Sequence, residues 1–319
     1  MGYFCEYELF KGDFRVDLMR KRHKSLGGRL LIGCLSALLF FAVSCKEKSY
    51  SLADLLNGRW LTVAVDTTEF YSDIDLEQYA LPKKKRSATV QVIVHTGYTT
   101  AFNSLTQTPD WVGYVLTDAE TWGEHPRKGH FVPDPDAVEA CATTRDYRGS
   151  GYDRGHMAPA ADMKWSEQAM TESFYLSNIC PQNRNLNAGD WKELEDKARQ
   201  WARTYGAVAI VCGPVPDEGY TTIGEDCRVV VPKRFFKVFL RPNASYNATV
   251  NKGEKVGIED VSVIGFLFNN EAGNRPLSYY AVSVDEVERV TGLNFFATLD
   301  NKTENAVERV CDPPDWDIK

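Results

Sequence analysis

The residues best suited to chemistry lie between positions 153 and 195, in segments predicted to be loops and one helix. Asp153-Arg154-Gly155-His156 comes first, Asn178 and Asn187 follow, and Glu195 is last. An imidazole can act as a general base near neutral pH, because its unperturbed pKa is about 6.5. A guanidinium binds phosphate oxygens in a fork, whereas carboxamide and carboxylate oxygens suit a hard divalent cation. Together these groups suit phosphodiester hydrolysis with one metal ion.

Each of these residues also has a purely structural interpretation. His156 could be a hydrogen-bonded loop histidine, and Asp153–Arg154 could be an ion pair. Asn187 could cap the helix that follows it, and Glu195 could pair with Arg199 one turn later. Each structural explanation is adequate for its own residue, but together they do not explain why all these residues occur in this order. The ordered set therefore favours a functional site.

The helix that carries Glu195 has the clearest periodicity in the chain. Between positions 189 and 205, apolar residues repeat at helical spacing on one face: Trp191, Leu194, Ala198, Trp201, Ala202 and Tyr205. Glu195 lies about 40° from Trp191, near the edge of that face, where a carboxylate needs a partner or a cation. Asn187 comes just before the helix, and a continuous helix would separate the two backbones by roughly 12 Å. At that distance both side chains could still converge on one hydrated ion, but both could not easily be its direct ligands.

Strands are predicted on both sides of this helical middle. Alternating and β-branched apolar residues predict strands at 88–94, 98–102, 111–117, 207–212, 228–231, 235–240 and 261–268. A loop is expected at 118–150, a short helix within 164–174, and a last helix at 283–290. This order predicts an α+β fold with one mixed or antiparallel sheet. We expect a single domain at 61–312, followed by a tail at 313–319.

The first sixty residues predict a targeting segment. Residues 1–18 show no recognisable signal and are interpreted as an upstream extension before a start at Met19. Residues 19–45 join a basic stretch to a fourteen-residue apolar run and end at Cys45, a pattern typical of bacterial lipoproteins, with an uncleaved signal anchor as the alternative. With 46–60 as a linker, this predicts an exported lipoprotein, periplasmic or on the surface of a bacterium.

The charge argues against tight, unspecific binding to a polyanion. The chain carries a net charge of −7, and without residues 1–45 it has 30 basic against 40 acidic residues, a charge of −10. We therefore expect modest affinity for nucleic acid and strong salt dependence. Lys83-Lys84-Lys85-Arg86 is a candidate for a local positive surface, although short basic runs are usually solvated loops.

Five cysteines follow Cys45, an odd number: Cys141, Cys180, Cys212, Cys227 and Cys311. Cys212 and Cys227 flank a Gly/Pro-rich loop and could form a disulfide bond. The pairing of the others is open.

The ordered motifs resemble the DNA/RNA non-specific endonuclease family, the ββα-metal group that includes mitochondrial endonuclease G. The resemblance covers roughly residues 85–300 and is carried by Tyr152–Pro159, Leu176–Gln182, Leu186–Trp191 and Leu194-Glu195. It implies a ββα-metal nuclease fold with a central, mainly antiparallel sheet flanked by helices. It also implies an endonuclease that cleaves DNA and RNA without sequence preference and leaves 5′-phosphate ends.

The resemblance assigns roles residue by residue. His156 would be the general base, Asn187 the direct ligand of Mg²⁺ (Mn²⁺ being a substitute), and Glu195 a further metal-site residue that binds its hydration water. Asn178 would position the phosphate or the histidine. Arg154 would contact the phosphate.

A second phosphate-binding arginine is implied at Arg127, in a loop that matches the family less closely. Cys180 departs from the small hydroxyl residue common in the family at its position. Two functions are considered as alternatives to the endonuclease. One is a phosphodiesterase that acts on small nucleotides, and the other is a catalytically weak nuclease fold used for binding. The sequence leaves a homodimer and an inhibitor partner open.

Overall fold

The computed structural model describes residues 76–83, 87–226, 228–243 and 257–319, which belong to one compact unit. The predicted upstream extension, signal peptide, linker and lipidation site at Cys45 lie outside these ranges, as do Cys227 and all but the first residue of the basic run at 83–86. Within the described ranges, no helix has the length and apolar character needed to cross a membrane.

The described chain contains eleven strands and six α-helices. The strands are β1 (Val90–Val94), β2 (Thr99–Asn103), β3 (Thr108–Thr117), β4 (Asp153–His156), β5 (Ile179–Gln182), β6 (Ala207–Pro214), β7 (Thr221–Ile223), β8 (Val229–Val231), β9 (Arg234–Pro242), β10 (Val261–Asn269) and β11 (Ala281–Val282). The helices are α1 (Thr144–Tyr147), α2 (Glu167–Glu172), α3 (Arg184–Ala188), α4 (Asp190–Tyr205), α5 (Val284–Thr291) and α6 (Asn301–Val307).

Seven strands form one antiparallel sheet in the order β1-β2-β3-β6-β9-β10-β11. Both faces of this sheet are covered, which explains the nearly continuous apolar sequence of β6. Val208 and Ile210 belong to the core on the side of α4, whereas Ala209 and Val211 belong to the core on the side of α5. The alternation of side chains along a strand accounts for this division.

Helix α4 covers the first face, and the predicted helix at 189–205 is confirmed to within one residue. Trp191, Leu194 and Trp201 are almost fully buried in the core on that side. Gly206 ends the helix at φ 84°, a conformation that glycine adopts without steric cost. Residues 313–319, expected to be a tail, pack on the same face, because Trp201 Nε1 donates to the Trp316 carbonyl at 2.9 Å and the Trp316 side chain is buried.

Helix α5 lies against the opposite face. The Ser283 side chain accepts a hydrogen bond from the Glu286 amide at its start, and Gly292 closes it at φ 67°, as the sequence predicted. Helix α6 follows, which the sequence analysis did not predict. Only Thr303 and Val307 of this seven-residue helix are buried, and one threonine and one valine give too short a pattern to be recognised.

Strands β4 and β5 form a separate antiparallel ribbon, in segments that the sequence indicated were loops. Four-residue strands that contain Gly155 and Pro181 give too weak a pattern to be recognised as β-structure. A Cβ atom at Gly155 would lie 2.2 Å from Gln182 Oε1, so glycine is required for the two strands to pack. Since α3 and α4 follow directly, the chain forms a β4–β5–α3–α4 unit that holds the predicted site.

Candidate active site

His156 lies at the end of β4, and its buried Nε2 atom has no hydrogen-bond partner within the described part of the chain. The residue is 8% exposed. Burial lowers the pKa of His156 to about 3, and the charge of Arg127 acts in the same direction. The imidazole is therefore neutral at physiological pH and able to accept a proton. The alternative of a hydrogen-bonded loop histidine does not describe this nitrogen.

Two aromatic rings flank the imidazole, and each also contacts an arginine. The Phe131 and Phe174 rings lie 5.3 and 5.1 Å from the His156 ring, measured between centroids. Arg154 lies over the Phe131 ring at 5.2 Å, and Arg127 lies over the Phe174 ring at 5.6 Å. The structure thus brings both predicted arginines to the two sides of the histidine, where each guanidinium retains donors for an anion.

Asn178 is fully buried beside the strand that carries His156. Its side chain accepts from the Ala158 amide and donates to the Ala158 carbonyl, both at 2.9 Å, and also donates to the Ser173 carbonyl. The carboxamide is therefore used in fixing the backbone just after His156. Of its two predicted roles, these contacts favour positioning the histidine over contacting a phosphate.

Asn187 lies on α3, facing β4. Its Nδ2 atom donates to Asp153 Oδ2 at 3.1 Å, which orients the carboxamide and leaves the Oδ1 oxygen for another partner. Asn187 does not cap the helix that follows it, since Gly189 is the N-cap residue of α4 and no side chain caps that helix. Asp153 therefore pairs with a neighbour on α3 instead of forming the considered ion pair with Arg154.

The predicted 12 Å separation of Asn187 and Glu195 assumed a continuous helix, and this assumption is wrong. Gly189 breaks the path between α3 and α4 at φ −108° and ψ −113°. A Cβ atom there would lie 2.5 Å from the Asn185 carbonyl oxygen, so the break requires glycine.

Glu195 lies on α4 with a side chain that is 12% exposed. Its Oε1 atom is 3.9 Å from Lys237 Nζ, a fully buried amine with no hydrogen-bond partner that also lies 4.2 Å from the Trp191 ring centroid. Burial raises the pKa of Glu195 to about 7, against the lowering effect of Lys237. The considered ion pair with Arg199 is absent, because Arg199 binds Asp162 and Asp196 instead.

Lys237 was not among the residues predicted for the site, although the sequence contains a signal for it. Phe235 and Phe239 on the same strand point into the core beneath α4, and Lys237 occupies the inward position between them. A charged residue at the centre of an alternating apolar strand must be paired or serve a site. Trp191 connects this layer to the ribbon, since its Nε1 donates to the His156 carbonyl at 3.3 Å.

The cysteines contribute no disulfide bond among the described residues. Cys141, Cys180, Cys212 and Cys311 are free, and Cys212 donates through its thiol to the Met157 carbonyl at 3.2 Å. Cys227, considered as a disulfide partner of Cys212, lies outside the described residues. Burial raises the pKa of the Cys180 thiol well above its usual value, so it remains protonated behind the ribbon.

The chain is similar to several mitochondrial nucleases. Nuclease 1, mitochondrial, of Schizosaccharomyces pombe is 37% identical over 310 residues, covering 89% of this chain and 91% of the relative. Endonuclease G, mitochondrial, of Bos taurus is 32% identical, covering 70% of this chain and 74% of the relative. Nuclease EXOG, mitochondrial, of Homo sapiens is 33% identical across 74% of this chain, which spans 63% of that relative's length.

The chain also aligns with a crystal structure of the EndoG/EndoGI complex, which concerns the mechanism of EndoG inhibition, with a TM-score of 0.61 and 28% identity. The alignment covers 72% of this chain and 92% of the solved chain. The predicted α+β fold of the ββα-metal type and the enzyme class, an endonuclease, are confirmed.

The prediction of an exported bacterial lipoprotein is wrong, because the similar proteins are named as mitochondrial nucleases. The apolar run before Cys45 led to that prediction. The lipid anchor also finds no support. A family model for DNA/RNA non-specific endonucleases matches residues 78–302, and the chain belongs to that family.

Proposed function

We propose that the chain is a metal-dependent, sugar-non-specific endonuclease that hydrolyses phosphodiester bonds in DNA and RNA. The observation that supports this most directly is the unpartnered Nε2 atom of a neutral His156 between Arg127 and Arg154. A buried nitrogen without a partner costs stability, so its persistence is explained best by a hydrogen bond formed with the substrate or the attacking water.

The donor set near Asp153 fits a hard divalent cation. The Asn187 amide is held by Asp153 with its oxygen available, and Glu195 offers a partly exposed carboxylate within the same β4–β5–α3–α4 unit. Mg²⁺ needs few protein oxygens because it keeps several waters, and Mn²⁺ accepts the same ligands. When bound, the ion would neutralise the charge that develops on the phosphate and on the leaving 3′ oxygen.

Different side chains of the protein would bind the phosphate and transfer the proton. The two arginines bind the phosphate oxygens and hold the phosphorus near the imidazole. His156 takes a proton from water at Nε2, the water oxygen bonds to phosphorus, and the bond to the 3′ oxygen breaks, which leaves a 5′-phosphate end. Since these contacts would reach only the phosphate, the site would not distinguish base sequences.

The test is cleavage of supercoiled plasmid and of RNA by the full chain, with Mg²⁺ or with EDTA. We expect His156→Ala to lose activity on both polymers by about 10²–10⁴-fold, the usual contribution of a general base. His125→Ala is a matched control, because His125 is exposed and contributes a backbone hydrogen bond to Lys164. Its activity should equal that of the wild type.

Other outcomes would overturn the proposal in distinguishable ways. Cleavage of a dinucleotide, with plasmid and RNA left intact, would indicate a phosphodiesterase for small nucleotides. Equal inactivity of wild type and His156→Ala on polymers and dinucleotides would indicate a binding protein. Full activity in EDTA would exclude the metal.

A further inference from the structure

Three carboxylates converge where α5 begins and α6 ends, on the side of the sheet opposite His156. Oxygen atoms of Asp285, Glu288 and Glu308 lie within 4.8 Å of one another. The two helices are tied there by a hydrogen bond from the Asp285 amide to the Glu308 carbonyl at 3.1 Å. The cluster therefore rests on a fixed junction of two helices and not on a loop.

Glu308 is the unusual member of this cluster. The residue is 2% exposed, and its Oε1 atom is buried with no hydrogen-bond partner among the described residues. An isolated carboxylate oxygen in such a position loses its hydration and gains nothing in return. Glu308 thus points to a missing partner, independently of the proximity of the other two acids.

The groups around Glu308 increase this cost. After burial, the charges that raise its pKa, to about 9, are those of Glu288, Glu304 and Asp285, and all three are acids. Basic residues nearby are engaged elsewhere: Arg289 pairs with Glu286, and Arg309 donates to the Asn305 carbonyl. The C-terminal end of α6 adds the negative end of a helix dipole.

We propose that Asp285, Glu288 and Glu308 form a second, structural cation site, which binds Ca²⁺ and joins α5 to α6. Opposite oxygen ligands of Ca²⁺ are about 4.6–5.2 Å apart, whereas those of Mg²⁺ are about 4.0–4.2 Å apart. The longer and more variable ligand distances of Ca²⁺ suit carboxylates that are held on two helices. Flexible coordination with water completes the shell of Ca²⁺ more easily than the strict octahedron of Mg²⁺.

This site is distinct from the nuclease site in position and in ligand chemistry. The nuclease site joins one carboxamide to a carboxylate on the α4 side of the sheet, whereas the second site gathers carboxylates on the α5 side. Calcium binding here does not depend on the proposed function, so either proposal can fail alone.

The experiment measures calcium binding and thermal unfolding of the full chain after treatment with EDTA. Equilibrium dialysis with Ca²⁺ should show one fewer bound ion per chain in Glu308→Gln than in the wild type. Saturating Ca²⁺ should raise the wild-type Tm by roughly 3 °C or more over NaCl of equal ionic strength, and should leave the Tm of Glu308→Gln unchanged.

Glu286→Gln is the matched control, because it removes one acid from the same turn of α5 but pairs with Arg289 outside the cluster. It should bind as many ions as the wild type. If Glu308→Gln does not fold, Asp285→Asn, at an exposed position, should show the same loss of one ion. Equal Ca²⁺ binding by the wild type and the cluster variants, or no effect of Ca²⁺ on the wild-type Tm, would overturn the proposal.

Discussion

Glu195 and Glu308 lie on opposite faces of one sheet and are both removed from water, yet their surroundings differ. Burial raises the pKa of Glu195 to about 7; Lys237 and Arg199 oppose the shift, whereas Asp162 and Asp196 add to it. Burial raises the pKa of Glu308 to about 9, and Glu288, Glu304 and Asp285 increase the shift. At Glu195, cations of the chain offset part of the cost of removing the carboxylate from water. At Glu308 this offset must come from a bound cation or a proton.

This difference shows how each face is used. Beneath α4 the chain keeps charged groups inside the core, since Lys237 and Asp162 lie among Phe235, Phe239 and Trp191. Of these two groups, Lys237 lowers the pKa of Glu195 and so favours its ionised form, at some cost in stability. Beneath α5 the core is apolar, and the acids gather at its rim, where an ion can reach them.

The largest expected effect separates the two sites by activity. Asn187→Ala should lower plasmid cleavage by about 10²-fold or more, because it removes the oxygen available to the catalytic cation. Asn185→Ala, an exposed carboxamide on the same helix, is the control and should retain activity. Glu308→Gln should also remain active when assayed below its Tm. Equal activity of Asn187→Ala and the control would mean that the carboxamide does not hold the ion.

A pair of glycine substitutions compares the two faces by packing. Gly155→Ala should push Gln182 out of the ribbon, and Gly265→Ala should clash with Val287 of α5 at 2.7 Å. Each should cost about 1–3 kcal/mol of unfolding free energy, measured by denaturant titration. Only Gly155→Ala should also lower the activity of the folded protein, because it displaces His156. A loss of activity in both would show that activity follows stability alone.

Removal of the buried Lys237 charge tests how this charge affects the ionisation of Glu195. Lys237→Met should raise the pKa of Glu195, because the charge that lowers it is lost. Activity near pH 6 should then fall roughly tenfold relative to the wild type, and the difference should shrink toward pH 9, where Glu195 is ionised in both proteins. Lys237→Arg keeps the charge and should preserve the shape of the pH profile. A uniform loss at every pH would indicate a packing defect instead.

The sequence predicted those parts of the molecule whose patterns are long or chemically specific. Helix α4 was predicted because sixteen residues repeat one apolar face, and α5 because Gly292 marks its end. The types and order of His156 and Asn187 indicated the site without any knowledge of the ribbon. Local composition is sufficient for such features.

The rest depends on contacts between distant residues. The β4–β5 ribbon was missed because its register is set by Gln182 against Gly155, a contact that composition does not encode. The convergence of Glu308 with Asp285 requires α6 to return to the start of α5. Phe131 and Phe174 approach His156 from separate loops, so their part in the site appears only in three dimensions.

The smallest expected effect concerns Glu308 in EDTA, without any divalent cation. Because the folded pKa of Glu308 is raised to about 9, above its ordinary value near 4.5, the protonated carboxyl is retained on folding. The contribution of the protonated Glu308 carboxyl to stability is complete at low pH and is lost as pH rises toward 9.

Glu308→Gln cannot lose a proton, so its Tm should exceed that of the wild type by a margin that grows from about pH 5 to pH 9. Added Ca²⁺ should reduce that margin at high pH, since the ionised wild-type cluster then has its cation. A Tm difference that changes with neither pH nor Ca²⁺ would mean that Glu308 binds neither a proton nor a cation on folding. Glu308 and Glu195 would then differ only in their positions in the fold.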